Sequence, residues 1–151
     1  MARKQSLGKM GEDLAAQYLI DKGYEILERN WRAYRKEIDI IAMDGKDIVF
    51  VEVKTRQDDE YGTPEMAVNR QKRAHIYAAA SAYYYEHQIS MDVRFDIIAI
   101  LYRDGKPEIN HIVGAIHSIK RNIKTEEPTD SSVFNYNLII VYATSPPLAK
   151  C

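Results

Sequence analysis

What this chain lacks narrows its chemistry first. Its one cysteine, Cys151, is the last of 151 residues, so no internal disulfide can form and a thiolate zinc site is excluded. Such cysteine usage fits a reducing setting, and a cytoplasmic location is expected. No apolar run is long enough to span a bilayer. The opening Met1-Ala2-Arg3-Lys4-Gln5 leads into an amphipathic pattern, so neither a signal peptide nor a membrane partner is expected. An internal repeat is also missing. Net charge is only −1, a sum that does not announce a nucleic-acid binder. His75, His87, His111 and His117 form no ligand pair at a recognisable spacing and are expected to be structural or superficial. What remains is an ordinary globular composition, 46% hydrophobic and 28% charged, sufficient for one domain with a real core.

The richest stretch is Glu37-Ile38-Asp39-Ile40-Ile41-Ala42 followed by Val49-Phe50-Val51-Glu52-Val53-Lys54, two apolar runs around Met43-Asp44-Gly45-Lys46. Asp-Gly between β-prone runs signals a hairpin. With Asp44-Gly45 as a two-residue loop, Glu37 faces Glu52 and Asp39 faces Phe50. Period two then gathers Glu37, Asp39, Glu52 and Lys54 on one side and leaves Ile38, Ile40, Val51 and Val53 on the other. Opposed carboxylates destabilise a strand pair, and acids on a sheet this apolar need a cation. A divalent ion such as Mg²⁺ takes its oxygen ligands from one or two carboxylates plus water and phosphate. The competing reading is a solvated polar face on a half-buried strand.

Around that hairpin the chain divides into recognisable elements. Ser6 to Lys22 is a helix with Leu7, Met10, Leu14, Tyr18 and Leu19 at helical spacing and Gly23 beyond its end. Tyr24 to Trp31 is a first strand, with Trp31 in the core, and the hairpin of Glu37 to Thr55 supplies two more. After the polar loop from Asp58, Thr63-Pro64-Glu65 opens a second helix running through Ala74, Tyr77, Ala78 and Ser81 to about Glu86. Asp92 to Tyr102 is a buried strand, and Asp104-Gly105 turns into a last one, Glu108 to Val113. Tyr83-Tyr84-Tyr85 places one ring inside and two on the rim, and Met10, Met66 and Met91 fill gaps in the core. This order, one helix, three strands, one helix and two strands, predicts an α/β fold with a central mixed sheet flanked by helices. Residues 1–118 form the domain, 119–132 a polar linker, and 133–151 an apolar C-terminal tail of no assignable role.

At this point the residues match a known pattern. Gly11-Glu12, Arg29-Asn30, the Glu37 to Ala42 run, Phe50-Val51-Glu52-Val53-Lys54-Thr55-Arg56, Tyr61-Gly62-Thr63-Pro64, Lys72 and Arg94-Phe95-Asp96 resemble the YraN-like family of uncharacterised proteins. The likeness covers roughly residues 6 to 116 in one ordered run. That family is similar to the restriction-endonuclease-like PD-(D/E)XK superfamily, near the archaeal Holliday-junction resolvases, whose core is αβββαβ. The resemblance implies that Asp39 is the superfamily's motif aspartate, Glu52 and Lys54 its (D/E)-x-K pair, and Glu12 the helix acid that completes a metal site. It also implies an auxiliary polar residue at Gln71 or Lys72. Two departures stand out: Lys36 replaces the usual glycine before Glu-Ile-Asp, and the chain after about residue 120 runs past the family pattern.

The implied chemistry is Mg²⁺- or Mn²⁺-dependent endonuclease hydrolysis of DNA phosphodiesters. Asp39, Glu52 and Glu12 would hold metal, with the Val53 carbonyl as a further ligand and Lys54 on the attacking water or the phosphate. Glu37 either tunes a neighbouring lysine or faces solvent. Arg32, Arg35, Lys36, Arg56, Arg70, Lys72 and Arg73 are the nucleic-acid-binding candidates, against a reading as solvated surface charge. Structured or branched DNA is the expected substrate, and a homodimer would match a two-fold symmetric one. Two rivals remain, a catalytically silent nuclease-fold DNA-binding protein and a protein-interaction module. The geometric expectation is that the carboxyls of Glu12, Asp39 and Glu52 converge within one cation's reach, with the Lys54 ammonium alongside.

Overall fold

A computed structural model describes the backbone of residues 2–57 and 70–116, and the side chains of residues 7–57 and 71–116. Its elements are α1 (Ala2–Asp21), β1 (Glu25–Ala33), β2 (Lys36–Asp44), β3 (Asp47–Gln57), α2 (Arg70–Glu86), β4 (Asp92–Arg103) and β5 (Lys106–Ile116). The Thr63-Pro64-Glu65 helix start, Met66, His117, the linker 119–132 and the tail 133–151 lie outside the described residues.

One five-stranded sheet holds the strands in chain order, β1 to β5. Neighbours are antiparallel except β3 and β4, which run parallel across the α2 crossover. The sheet is therefore mixed, as the order of elements predicts, and helices cover both faces. Along β3 the side chains alternate between the two layers. Val49, Val51 and Val53 pack with Ala15, Ala16 and Leu19 of α1, while Ile48 and Phe50 pack with Ile76, Ala79, Ala80 and Tyr83 of α2. Covering both faces explains why β3 is an almost unbroken apolar run.

Several details differ from expectation. Gly45-Lys46, and not Asp44-Gly45, is the loop between β2 and β3, so Asp44 faces Asp47 and Ile41 faces Phe50. Two aspartates directly opposed repel. Arg94, arriving from β4, offsets this with its Nη1 2.9 Å from Asp44 and 3.9 Å from Asp47. Ile38 is also on the other face from that expected: it joins the α2-side cluster with Trp31 and Phe50, whereas Ile40, Val51 and Val53 join the α1 side. Strand alternation thus breaks around Asp39. In α1, Met10 is 54% exposed and not core, and Gly11, Ala15 and Leu19 face the sheet instead. In α2, Ala74 is exposed and the buried stripe is Ile76, Ala79, Ala80 and Tyr83. The tyrosine run does grade from buried Tyr83 through Tyr84 to exposed Tyr85, with Tyr83 set edge-on against Trp31 and Phe50.

Candidate functional site

The β2–β3 ladder runs from Asp44↔Asp47 to Ile40↔Val51 and no further. Past that pair the strands part, and the Asp39 carboxylate fills the gap by accepting a 2.7 Å hydrogen bond from the Val53 amide. The next residue outward on β3 after Val51 is Glu52. The two acids meet because the ladder ends there.

Glu52 is 4% exposed, which for a carboxylate demands compensation. Its Oε1 sits 2.7 Å from Lys54 Nζ on the same strand and 3.0 Å from Lys72 Nζ on α2. Its Oε2 is buried with no hydrogen-bond partner among the described residues. Asp39 is partly buried, and loss of water, followed by the charge of Glu52 and a smaller push from Glu12, outweighs the Val53 hydrogen bond and the Lys72 ammonium, so that its carboxyl is pushed up to about 7.

Glu12 reaches this field because of its neighbour. Gly11 lies directly on β3, where a Cβ would overlap the Thr55 hydroxyl and press on the Thr55 Cβ. Only a glycine lets α1 approach so closely. Even so, among the described residues no three acidic, histidine or cysteine side chains stand close enough to hold one ion. The expected three-acid convergence is corrected accordingly. Asp39 feels the charge of Glu52 more than that of Glu12, and the Lys54 and Lys72 ammonium groups lie against Glu52.

The cationic candidates divide as well. Lys72, a nucleic-acid candidate from sequence, belongs to the carboxylate cluster. Arg32 reaches Glu37 across β1 and β2 at 3.0 Å, which resolves Glu37 as part of a superficial pair with no role among the site acids. Arg35 and Arg73 are exposed, Lys36 and Arg56 half-buried. Register puts the β1–β2 turn, the last residues of β3 and the β4–β5 turn at one end of the sheet, together with Asp39 and Glu52.

A second buried cluster escaped the sequence reading. Asp96 on β4 is 1% exposed and accepts from Arg94 Nε (3.0 Å) and the Gly114 amide (2.9 Å), and it lies 2.9 Å from His111 Nε2. Burial alone would raise its carboxyl, but His111, Arg94 and Gly114 outweigh that and hold it below the usual carboxylate range. Arg94 also donates to Asp44 and the Tyr24 hydroxyl. His111 is enclosed by Tyr18 and Tyr24. The only sequence signal was a charged pair, Arg94 and Asp96, inside an apolar strand. Through these bonds the cluster ties β5, β2 and the end of α1 to β4.

The fold and site together define a three-layer α/β domain with a desolvated carboxylate pair and two lysines where its sheet splays open. Comparison with known proteins adds the family. The pattern described as Uncharacterised protein family UPF0102 matches residues 11–100, and the chain belongs to that family. A UPF0102 protein of Syntrophomonas wolfei is 45% identical over 112 residues, covering 74% of this chain and 97% of the relative. One from Phocaeicola vulgatus is 42% identical over 117 residues (78% and 97%), and one from Geobacter metallireducens 47% over 112 residues (74% and 92%). Among the described residues no helix is long and apolar enough to cross a membrane.

Proposed function

We propose that this protein binds DNA at the cationic end of its sheet and hydrolyses phosphodiesters there with Mg²⁺ or Mn²⁺, on a restriction-endonuclease-like core. The observation that carries this reading is Glu52 Oε2, a buried carboxylate oxygen without a hydrogen-bond partner among the described residues, in the field of the desolvated Asp39. An orphaned acceptor of this kind is costly unless a ligand satisfies it. Two carboxylates suit a small hard cation that keeps most of its waters. Asp39 and Glu52 are therefore the residues that would hold it, with Glu12 contributing through water. When bound, such an ion supplies charge neutralisation at the phosphate and acidifies water beside it.

The chain's own groups do the rest. Lys54 exposes about a third of its side chain while anchored to Glu52, so its ammonium can meet a phosphate oxygen or orient a water. Lys72 is placed alike from α2. Arg35, Lys36, Arg56 and Arg73 supply phosphate contacts around them. A homodimer on a two-fold symmetric substrate belongs to the same reading.

The test uses labelled linear, flap and four-way DNA with Mg²⁺, Mn²⁺ or EDTA. Metal-dependent nicking should fall by about 100-fold or more in Asp39→Asn and Lys54→Ala, with DNA binding retained. Mg²⁺ should raise the melting midpoint of the wild type and not of Asp39→Asn. Absence of both nicking and a Mg²⁺ shift in the wild type would overturn the metal reading. DNA binding without cleavage would favour a silent nuclease-fold binder, a second reading supported by the two lysines that already neutralise Glu52.

A further inference from the structure

Three hairpin turns of the sheet make an internal comparison. The β2–β3 turn uses Gly45, at φ 60°, and the β4–β5 turn uses Asp104-Gly105, at φ 51° and 74°. These residues suit left-handed backbone. The β1–β2 turn closes between Ala33 and Lys36, and its two central residues are Tyr34 at φ 50° and Arg35 at φ 61°. Both are left-handed, the signs of a type I′ turn, yet neither is Gly, Asn or Asp. A large aromatic and an arginine hold a conformation that two smaller residues would adopt with less strain.

That strain sits where side chains have work to do. Tyr34 is 58% exposed, on the tip of a rigid two-residue turn. Cations surround it in sequence and register, with Arg32 and Lys36 on the two strands and Arg35 beside it. The tip is also at the end of the sheet that holds Asp39, five residues along the chain. Four strand steps from Arg35 to Asp39 span about 13 Å. Strained backbone persists where surrounding structure enforces it, and it clusters at functional contacts.

We propose that the β1–β2 tip is a base-contacting prong for single-stranded nucleic acid, with Tyr34 stacking on an unpaired base while Arg35 and Lys36 hold the adjoining phosphates. Stacking on an exposed aromatic next to a cationic track is how sequence-tolerant single-strand binders work. This inference rests on the nucleic-acid reading of the carboxylate site and deepens it. The substrate would carry an unpaired stretch a few nucleotides from the bond presented to Asp39 and Glu52.

The experiment measures fluorescence anisotropy with a labelled 20-nucleotide oligothymidylate and a labelled 20-base-pair duplex, in EDTA so that nothing is cut. Wild type should prefer the single strand. Tyr34→Asn should weaken oligothymidylate binding roughly tenfold and leave duplex binding within about twofold. Tyr34→Phe should keep the wild-type preference, and Arg35→Gly should lower the salt slope by about 0.7. Equal binding of both probes by wild type and Tyr34→Asn would overturn the prong and leave the nuclease reading standing. Wild type that binds neither probe at low salt would sink both ideas together.

Discussion

Asp39 is where the conflicting demands of this domain meet. Its carboxyl is desolvated, faces Glu52, and titrates near 7, so the folded protein holds a proton that the unfolded chain, titrating near 3.8, gives up. A raised folded value stabilises below the unfolded one, and that contribution drains away as pH climbs from about 4 to about 7. Asp39→Asn keeps an acceptor for the Val53 amide and removes the charge. It should therefore stabilise the fold at pH 8 by about 1–3 kcal/mol and much less at pH 5. Urea unfolding of both proteins at the two pH values checks this, and a difference that ignores pH would refute it. Lys72→Met should act in the opposite direction. Losing that ammonium strips a partner from buried Glu52, costs about 1–2 kcal/mol, and moves the Asp39 titration still higher, readable by carboxyl NMR. The Glu52 and Lys54 pairing was legible in the sequence because period two is a local property, whereas the place of Asp39 was not, since alternation breaks there. Lys72 was legible only as a charge, since its approach to Glu52 depends on how α2 lies across the sheet.

At the scale of elements, the contact of α1 with β3 sets how near Glu12 comes. Alanine is the better helix former, so Gly11→Ala would stabilise an isolated helix by about 0.8–1 kcal/mol. Here the added methyl meets Thr55, and overpacking costs about 1–3 kcal/mol instead. Gly11→Ala should destabilise the domain and do so less in a Thr55→Ala background, giving a coupling energy of about 0.5 kcal/mol or more in a double-mutant cycle. Additive losses would show that the helix does not rest on that side chain. β5 depends on its own fastening. Asp96→Ala takes from His111 and the Gly114 amide their acceptor and leaves Arg94 with Asp44 as its close carboxylate, and about 1–3 kcal/mol should go with it. Because Asp96 titrates below its ordinary value, its contribution is present above pH ~4 and lost as pH falls below that, so the wild type should weaken in acid while Asp96→Ala changes less. The order of helices and strands was readable from hydrophobic period and from Gly and Pro punctuation. The hairpin register was not, because Asp44-Gly45 is a good local turn that lost to Arg94, a partner 50 residues away. The break in alternation at Ile38 was hidden for a similar reason. It follows from where the ladder stops, and that is a property of three strands together.

On the scale of the whole molecule, a net charge of −1 conceals a polar distribution. The end of the sheet bearing Arg35, Lys36 and Arg56 also carries Asp39, Glu52 and Glu12, so an approaching polyanion meets attraction at the rim and repulsion at the centre. Neutralising the centre should help binding even as it removes the proposed hydrolysis. Asp39→Asn is thus expected to bind duplex or branched DNA about two- to fivefold more tightly than wild type in EDTA, the size of one modest charge interaction near a surface. Added Mg²⁺ should close that gap by tightening only the wild type. The rim should impose a salt slope. With about three phosphates neutralised, log K should fall with log salt at a slope of about −2.7. Anisotropy titrations between 50 and 200 mM salt would show roughly a 40-fold loss if three contacts form. A flat dependence would instead point to a protein partner, because no docking of phosphates onto arginine and lysine can proceed without releasing counterions. A steep slope with no difference between wild type and Asp39→Asn would place the DNA on the rim alone, clear of the carboxylates.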